Sequence, residues 1–193
     1  MREIKLPASE EAMRELKVGD VIAITGVMMT ARDAAHKYMV EQEAAEVAEV
    51  LRGGMIYHCG PVVKKEGDSY SFVAAGPTTS IREEPYQATV MKKYGVRGVI
   101  GKGGMEQKTL DACKELGAVY LSAVGGLATI LAKSVKRVLT VHKLEEFGVP
   151  EAMWVIEVER FPAVVTMDSH GRSIHDEVLA ASGKEYRRLV FGS

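Results

Sequence analysis

The stretch AAGPTTSIREEPYQATVMKKYGVRGVIGKGG, residues 74–104, contains the pattern from which the fold class is predicted. An apolar strand, SYSFVAA, leads into a turn rich in Gly, Pro and hydroxyl residues. EPYQATVMKKYG then has the pattern of a helix that ends at Gly95, and VRGVI is a strand that ends in glycines. The same order continues with a helix in MEQKTLDACKELG and a strand in AVYLSAV. Strands that alternate with helices predict a parallel sheet with helical crossovers.

The N-terminal part of the chain repeats this alternation. EIKLP is a short strand, and the helix SEEAMREL follows with Ser9 as its N-cap. VIAIT, residues 21–25, is the next strand. The segment MMTARDAAHKYMVEQEAAEVAEVL changes to helical spacing, with Thr30 as a possible cap and an end at the glycines after Arg52.

The last third of the chain is richer in consecutive strands, predicted in KRVLTVHKL, MWVIEVERF and AVVTMD. We therefore predict an α/β fold, in which residues 1–174 form one β/β/α domain with a mixed sheet and flanking helices. Residues 175–193 form a C-terminal helical extension that is interrupted at Gly183.

Composition excludes several classes of protein. The 193 residues are 47% hydrophobic and 26% charged, and the formal net charge is −1, which does not indicate a nucleic-acid or membrane-surface partner. MREIKLPASEE lacks the apolar segment of a signal peptide, and the apolar runs are too short to cross a bilayer. We expect a cytoplasmic protein.

The residues that commonly bind metals are scattered. Cys59 and Cys113 lack C-x-x-C spacing, and no two of the five histidines have the H-E-x-x-H arrangement. We expect two buried thiols and no metal site made by this chain alone.

Four stretches share one arrangement, in which a strand ends in small residues and a charged or hydroxyl residue is close by. They are TARDAAH (30–36), AGPTTSIR (75–82), IGKGGM (100–105) and AVGGLA (123–128). In open α/β sheets, ligands bind beyond the carboxyl ends of the strands, where helix N-termini present free N–H groups. The pattern predicts a ligand site at this edge of the sheet.

Three of these stretches place a cation at the strand–helix junction, namely Arg32, Arg82 and Lys102. The forked guanidinium of arginine suits a carboxylate, and lysine acts as a point charge. Together they predict a shared site for a small dicarboxylate. A phosphate group is the competing ligand, because glycine-lined helix N-termini also bind phosphates.

Other polar residues in these stretches have two interpretations each. Asp33 and His36 are three residues apart on a predicted helix, so His36 could transfer protons while Asp33 orients it. Alternatively, Asp33 is an ordinary first-turn carboxylate and His36 is surface. Thr78 and Thr79 could contact a ligand or only form the turn.

The chain resembles a known family through a set of stretches that occur in a fixed order. They are RDAAH, IYHCGPV, AGPTTSIR, GKGGM, AVGG and PEAMWVIEVERFPAVVTMDSHG. In this order they resemble the β subunit, or C-terminal domain, of the class I iron–sulfur hydro-lyases, which are the fumarate hydratases and L-tartrate dehydratases. The resemblance runs from about residue 5 to about residue 175.

The resemblance implies an activity, a cofactor and a partner. The family hydrates fumarate reversibly to L-malate, a reaction of the tricarboxylic acid cycle, and a 4Fe–4S cluster with one open iron acts as the Lewis acid. The three cysteine ligands of the cluster belong to the α subunit. This chain would be the swivelling β/β/α domain that closes over the substrate in a hetero-oligomer of the α2β2 type.

The resemblance also implies roles for residues of this chain. The substrate-binding positions would be Arg32, Thr78 with Thr79, Arg82, and Lys102 with Gly103. Thr78 would be the candidate base, assisted by a cationic neighbour such as Lys102. With Asp33 and His36, which are added because of their helical spacing, the predicted catalytic set is Thr78, Lys102, Asp33 and His36.

One segment departs from the family pattern. The family often continues with Met-Asp after GPTTS-x-R, whereas this chain has Glu83-Glu84-Pro85. Either carboxylate could compete for Arg82.

Two further functions stay open. An L-tartrate dehydratase β subunit would differ only in accepting an extra substrate hydroxyl. A non-catalytic module that binds an anion or a phosphorylated metabolite would use the same glycine-rich turns.

Overall fold

The computed structural model describes residues 1–192 as one mixed sheet with flanking helices and a separate hairpin. The strands are β1 Arg2–Lys5, β2 Val21–Thr30, β3 Met55–Tyr57, β4 Val62–Glu66, β5 Ser69–Ala74, β6 Gly98–Gly101, β7 Val119–Ser122, β8 Val135–His142 and β9 Met153–Met167. The helices are α1 Glu10–Arg14, α2 Asp33–Glu41, α3 Ala45–Leu51, α4 Glu84–Tyr94, α5 Gln107–Leu116, α6 Ala128–Lys133, α7 Leu144–Phe147 and α8 Ile174–Phe191. The α/β prediction with a mixed sheet is confirmed.

The seven-stranded sheet has the order β1-β2-β3-β6-β7-β9-β8. Strands β2, β3, β6 and β7 are parallel neighbours, as their alternation with helices predicts. The long strand β9 is antiparallel to β7 and β8, and it also pairs with β2. The sheet therefore closes on itself, and the carboxyl ends of its parallel strands meet at one edge.

Alternating side chains of the strands divide the core into two apolar clusters. Tyr57 and Trp154 belong to one cluster, whereas their neighbours Ile56 and Val155 belong to the other. This alternation follows from the period of two of a strand. The first cluster is covered by the β4–β5 hairpin, whose Tyr70 packs edge-on against Trp154.

Helix ends follow the predicted chemistry at two places. The Ser9 hydroxyl accepts a hydrogen bond from the Ala12 amide at the start of α1. Gly95 ends α4 in the left-handed conformation, with φ 71°, which glycine adopts without strain.

The predicted end of the second strand is wrong. Strand β2 continues to Thr30, because Met28 and Met29 pair with β9 and Met29 and Thr30 pair with β3. The Thr30 hydroxyl accepts a hydrogen bond from the Trp154 amide, so it does not cap α2, which has Arg32 at its N-cap.

The predictions for the C-terminal third were wrong in two details. The segments MWVIEVERF and AVVTMD form the single strand β9, and Arg160, at φ 50°, lies within it. A register shift against β2, between Ile24 and Gly26, accommodates this irregularity. Helix α8 continues through Gly183 without interruption.

The boundary between a domain of residues 1–174 and an extension of residues 175–193 stays a prediction. Ser193, the last residue of the predicted extension, lies outside the described residues. Among residues 1–192, no helix combines the length and apolar character that crossing a membrane requires.

Candidate anion-binding site

Backbone hydrogen bonds join the polar loops at the carboxyl edge of the sheet. The Thr78 amide donates to the His58 carbonyl at 2.7 Å, and the Lys102 amide donates to the Thr78 carbonyl at 3.1 Å. The Ser80 amide then donates back to the Lys102 carbonyl at 3.1 Å. The turn after β5 therefore lies beside the ends of β3 and β6, and the positions of Thr78 and Lys102 are fixed relative to each other.

A close approach of backbone to side chains requires glycine at the end of β6. A Cβ atom on Gly101 would lie 1.8 Å from Ser80 Oγ and 3.2 Å from His58 Nδ1. No side chain fits at this position, which explains one of the glycines in the GKGG segment.

Each arginine of the predicted set contacts a carboxylate of this chain. Arg32 Nη2 lies 3.2 Å from a Glu151 carboxylate oxygen, and the other oxygen accepts a hydrogen bond from the Ala34 amide at 3.0 Å. Arg82 makes an ion pair with Asp33. Glu151 and Asp33 thus hold the two guanidinium groups next to the start of α2.

Several buried polar atoms of this edge lack a hydrogen-bond partner in the described chain, and besides the carboxyl oxygens Asp33 Oδ1, Glu83 Oε1 and Glu83 Oε2, two of them can donate. They are Arg32 Nε, a donor, and Thr78 Oγ1, a donor and acceptor. Buried polar groups are almost always paired, so such atoms mark a place where a ligand or an ordered water could supply the partner. Both atoms suit an anion.

Lys102 and Gly103 lie at the exposed side of the same edge. Within residues 1–192, the Lys102 ammonium group makes neither an ion pair nor a hydrogen bond. Gly103 has φ 75°, and its carbonyl accepts a hydrogen bond from the Tyr120 hydroxyl at 3.1 Å. Arg32, Thr78, Arg82 and Lys102 together are called the strand-edge cluster below. Thr79 pairs with Lys102 as an isolated bridge and is exposed.

Neither interpretation of Asp33 and His36 offered by the sequence describes their contacts in the structure. Asp33 contacts Arg82, and its pKa is lowered: burial alone would raise it, but the Glu83 carboxyl and Arg82 outweigh that effect. His36 is fully buried, and its Nδ1 lies 2.9 Å from the Arg32 carbonyl. His36 therefore lies behind the strand-edge cluster, not on the surface and not on Asp33.

The two glutamates that depart from the family pattern are both buried. Glu84 accepts hydrogen bonds from the Glu106 and Thr109 amides and from the Thr109 hydroxyl, so it caps α5 and does not compete for Arg82. Glu83 lies 3.7 Å from His36 Nδ1, and burial, together with Asp33, raises its pKa to about 9. At neutral pH, Glu83 is a neutral acid beside the Asp33 carboxylate.

Sequence reasoning missed a line of buried polar residues that joins Ser80, Gln87 and Tyr120 to His58. The His58 ring is 2.9 Å from Ser80 Oγ and 2.8 Å from the Gln87 side-chain amide, and the Tyr120 hydroxyl lies 2.9 Å from Ser80 Oγ. Burial and the neighbouring His36 ring lower the pKa of His58 to about 3. Gln87 lies on α4 among apolar neighbours, and no spacing in the sequence marks it as part of a site.

Metal-binding side chains do not converge in the part of the chain that the structure describes. Within residues 1–192, no group of three His, Cys, Asp or Glu side chains has the arrangement of a metal site. Cys59 and Cys113 are separate, buried and free, and burial raises the pKa of each thiol to about 12. These residues do not fit the ligand set of an iron–sulfur cluster.

The geometry defines an α/β protein with a candidate anion site at the carboxyl edge of its sheet. Residues 1–178 match the Fumarase C-terminus family, and the chain belongs to that family.

The relatives that resemble this protein differ in how much of their length it covers. It is 54% identical over 180 residues to a protein of Geobacillus stearothermophilus named "Putative fumarate hydratase class I", covering 93% of this chain and 34% of that protein. The chain therefore spans about a third of that relative.

Shorter relatives match along most of their length. Identity is 42% over 184 residues to the "Putative L(+)-tartrate dehydratase subunit beta" of Methanocaldococcus jannaschii, covering 94% of this chain and 93% of that one. It is 37% over 169 residues to the "L(+)-tartrate dehydratase subunit beta" of Escherichia coli, covering 87% of this chain and 83% of that one.

Proposed function

We propose that this chain is the β subunit of an iron–sulfur hydro-lyase that hydrates fumarate reversibly to L-malate. The observation that carries the proposal is the pair of buried, unpartnered polar atoms Arg32 Nε and Thr78 Oγ1 beside the unpaired cation of Lys102. A dicarboxylate offers acceptors for both donors and a charge for the lysine. Membership of the Fumarase C-terminus family supports the same reaction class.

The strand-edge cluster has the chemistry that proton removal next to a carboxylate requires. When a base takes the proton from the carbon beside the carboxylate of malate, negative charge accumulates on that carboxylate. Fixed cations in a site that excludes water stabilise this charge best. Arg32 and Lys102 would bind the carboxylate, and Arg82, held by Asp33, would supply further positive charge.

Thr78 is the proposed base. Its hydroxyl has no partner in the described chain, so it is free to contact the substrate. A threonine hydroxyl loses its proton only when nearby positive charge stabilises the alkoxide. Lys102 directly follows strand β6 and brings an ammonium group to the same edge of the sheet. The proton from the substrate carbon would pass to Thr78 Oγ1.

The iron–sulfur cluster and its cysteine ligands would belong to an α subunit. Within residues 1–192, no group of three His, Cys, Asp or Glu side chains is arranged to ligate an iron–sulfur cluster. The chain would be active only in a hetero-oligomer with that partner, of the α2β2 type.

The tartrate reaction is the second candidate, and a specific observation favours it. The relatives that match this chain over most of their own length are named as β subunits of L(+)-tartrate dehydratase. The sequence identity to the Geobacillus protein is higher, at 54%, and favours fumarate. The two substrates differ by one hydroxyl, which the strand-edge cluster alone does not distinguish.

Rates with the partner subunit would test the proposal. The chain would be co-expressed with the α-type subunit of the same genome, the complex purified without oxygen, and turnover of fumarate, L-malate and L-tartrate measured. We expect the highest kcat/KM on fumarate and L-malate, and no turnover by the β chain alone. Preference for tartrate would select the second candidate. If the complex turned over none of the three substrates and the isolated chain bound phosphate esters tightly, a non-catalytic anion-binding module would be favoured.

A further inference from the structure

A continuous line of buried polar side chains lies behind the strand-edge cluster. His36 Nε2 is 3.0 Å and His58 Nε2 is 2.8 Å from the same amide atom of Gln87. His58 Nδ1 then contacts Ser80 Oγ at 2.9 Å, and the Tyr120 hydroxyl contacts Ser80 Oγ at 2.9 Å. His36, His58, Ser80, Gln87 and Tyr120 are all 0% exposed, so bulk solvent does not reach these groups.

Both ends of this line reach loops of the strand-edge cluster. At one end, His36 Nδ1 lies 2.9 Å from the backbone carbonyl of Arg32. At the other end, the Tyr120 hydroxyl donates to the carbonyl of Gly103, next to Lys102, at 3.1 Å. Gln87 divides the line into two branches. The first runs through His36 to the Arg32 carbonyl, and the second runs through His58, Ser80 and Tyr120 to the Gly103 carbonyl.

Hydrogen-bond chemistry fixes the direction of the first branch. A carbonyl can only accept, so His36 Nδ1 must carry the hydrogen that Arg32 O receives. Burial lowers the pKa of His36, so its ring is neutral and carries one hydrogen only. His36 Nε2 is therefore an acceptor, and the Gln87 group that faces it must be a donor.

The amide of Gln87 has one donor end, its NH2 group, with two hydrogens. The two ends of an amide have the same shape, and their hydrogen-bond partners decide which end occupies which position. If the oxygen faced both imidazoles, the NH2 group would be buried without a partner, because the opposite amide position has none. The NH2 group facing both rings satisfies both hydrogens.

The second branch then follows the same direction. His58 Nε2 accepts from Gln87, so the neutral His58 ring donates from Nδ1 to Ser80 Oγ. The Ser80 hydroxyl donates to Tyr120, and Tyr120 donates to the Gly103 carbonyl. Every hydrogen in the line points away from Gln87 and ends at a backbone carbonyl of the site.

We propose that Gln87 is a positioning residue whose NH2 group donates to His36 and His58 and so orients the loops of Arg32 and Lys102. The catalytic consequence of this arrangement rests on the proposed function, whereas the arrangement itself does not. A hydrogen-bonded line of this kind couples the two cationic loops through α4.

The arrangement is tested on the full chain without any substrate. Two-bond ¹⁵N–¹H correlations of the imidazole rings at pH 7 show which nitrogen carries the hydrogen, with His36→Asn and His58→Asn variants used for assignment. We expect Nδ1–H and a hydrogen-free Nε2 on both rings. A hydrogen on Nε2 of either ring overturns the proposal.

The variant Gln87→Glu reverses the donor, and Gln42→Glu, on an exposed side chain, is the matched control. A carboxyl group can donate one hydrogen at most, so at least one imidazole must become protonated at Nε2. We expect this change in Gln87→Glu and not in Gln42→Glu. Two imidazoles that keep a hydrogen-free Nε2 in Gln87→Glu would contradict the proposal.

The same variants in the complex with the α subunit measure the effect on the site. We expect Gln87→Glu to lower kcat/KM by between about ten- and a hundredfold, mainly through a higher KM, because the cationic loops shift relative to the substrate. Gln42→Glu should match the parent. Unchanged kinetics together with altered tautomers would overturn the positioning role. A complex that hydrates nothing, while the parent tautomers are as expected, would instead contradict the proposed function.

Discussion

The strand-edge cluster and helix α8 differ in the kind of group that they leave unsatisfied. In the cluster, polar atoms of Arg32 and Thr78 are buried without a partner, on loops fixed by backbone bonds to the sheet. On α8, His175 Nε2 in the first turn is also buried without a partner, but beyond it apolar side chains face outward, with Leu179 70% and Leu189 69% exposed. A buried unpaired donor costs free energy unless a ligand satisfies it, whereas an exposed leucine on a helix is tolerated. The cluster therefore offers unpaired polar groups of several residues to a ligand, whereas α8 beyond its first turn offers only exposed apolar side chains.

The largest difference between the two regions should appear when Thr78 loses its hydroxyl. In the α-subunit complex, Thr78→Ala should lower kcat by about 10²- to 10⁴-fold, the usual contribution of a general base. Thr89→Ala, on an exposed face of α4, is the matched control and should leave kcat unchanged. Steady-state rates with fumarate and L-malate measure the effect.

Thr78→Ser sharpens this prediction, since it keeps the hydroxyl and removes only a methyl group. We expect Ser to restore most of the rate that Ala loses. If Thr78→Ala kept the parental kcat, the hydroxyl would not take part in the chemistry, and the base would have to come from another residue.

Substitutions at two glycines, Gly101 and Gly183, compare the stability of the two regions. Gly101→Ala places a Cβ atom against Ser80 Oγ and His58, so it should destabilise the chain by about 1–3 kcal/mol, the usual cost of overpacking. Gly183→Ala, in open space within α8, should stabilise it by about 0.5–1 kcal/mol, because alanine is the better helix former.

Urea denaturation of the two glycine variants measures the change in free energy of unfolding. Opposite signs are expected. A neutral Gly101→Ala would show that Ser80 and His58 can move apart, which would contradict a rigid strand-edge cluster.

The sequence predicts the polar residues at the strand ends because their pattern is local. Glycines, hydroxyls and cations follow apolar strands at 75–82 and 100–105, and parallel strands bring such ends together. The helix caps at Ser9 and Gly95 are local for the same reason. The mixed sheet and the position of the strand-edge cluster are therefore predictable without coordinates.

Features that depend on contacts between distant residues are not predictable in this way. Glu84 caps α5, more than twenty positions along the chain, and Gln87 contacts His36 and His58 across two strand ends. The continuity of β9 through Arg160, which has a positive φ, depends on pairing with the distant strand β2. No local pattern in the sequence indicates that pairing. Tertiary pairing decides each of these cases.

Glu83, which lies beside the strand-edge cluster, should make the free energy of unfolding depend on pH in a way that Glu185 on α8 does not. Its pKa, about 9 in the folded chain, is above the ordinary value of 4.5, so the folded state keeps a proton that the unfolded state releases between these values. The free energy of unfolding should therefore fall as pH rises from 4.5 to 9, by up to about 1.4 kcal/mol for each pH unit. Glu83→Gln mimics the protonated acid and should remove this decline.

The matched variant on α8 is Glu185→Gln. Arg188 lowers the pKa of Glu185, so its contribution is complete above pH 4.5 and does not change between pH 6 and pH 8. Urea denaturation at both pH values should separate Glu83→Gln from the parent increasingly as pH rises, while Glu185→Gln stays parallel to the parent. Parallel behaviour of both variants would mean that Glu83 is ionised in the fold.

The smallest effect is expected on the outward face of α8. Leu189→Ala removes an exposed side chain and should change the free energy of unfolding by less than about 0.5 kcal/mol. Leu121→Ala, at a buried position of β7, is the matched control and should cost about 2–5 kcal/mol. If Leu189→Ala cost more than about 1 kcal/mol, and the cost grew with protein concentration, another copy of the chain would cover α8 in solution. The contrast would then be between a region that binds a small anion and a region that binds protein, and not between a site and a free surface.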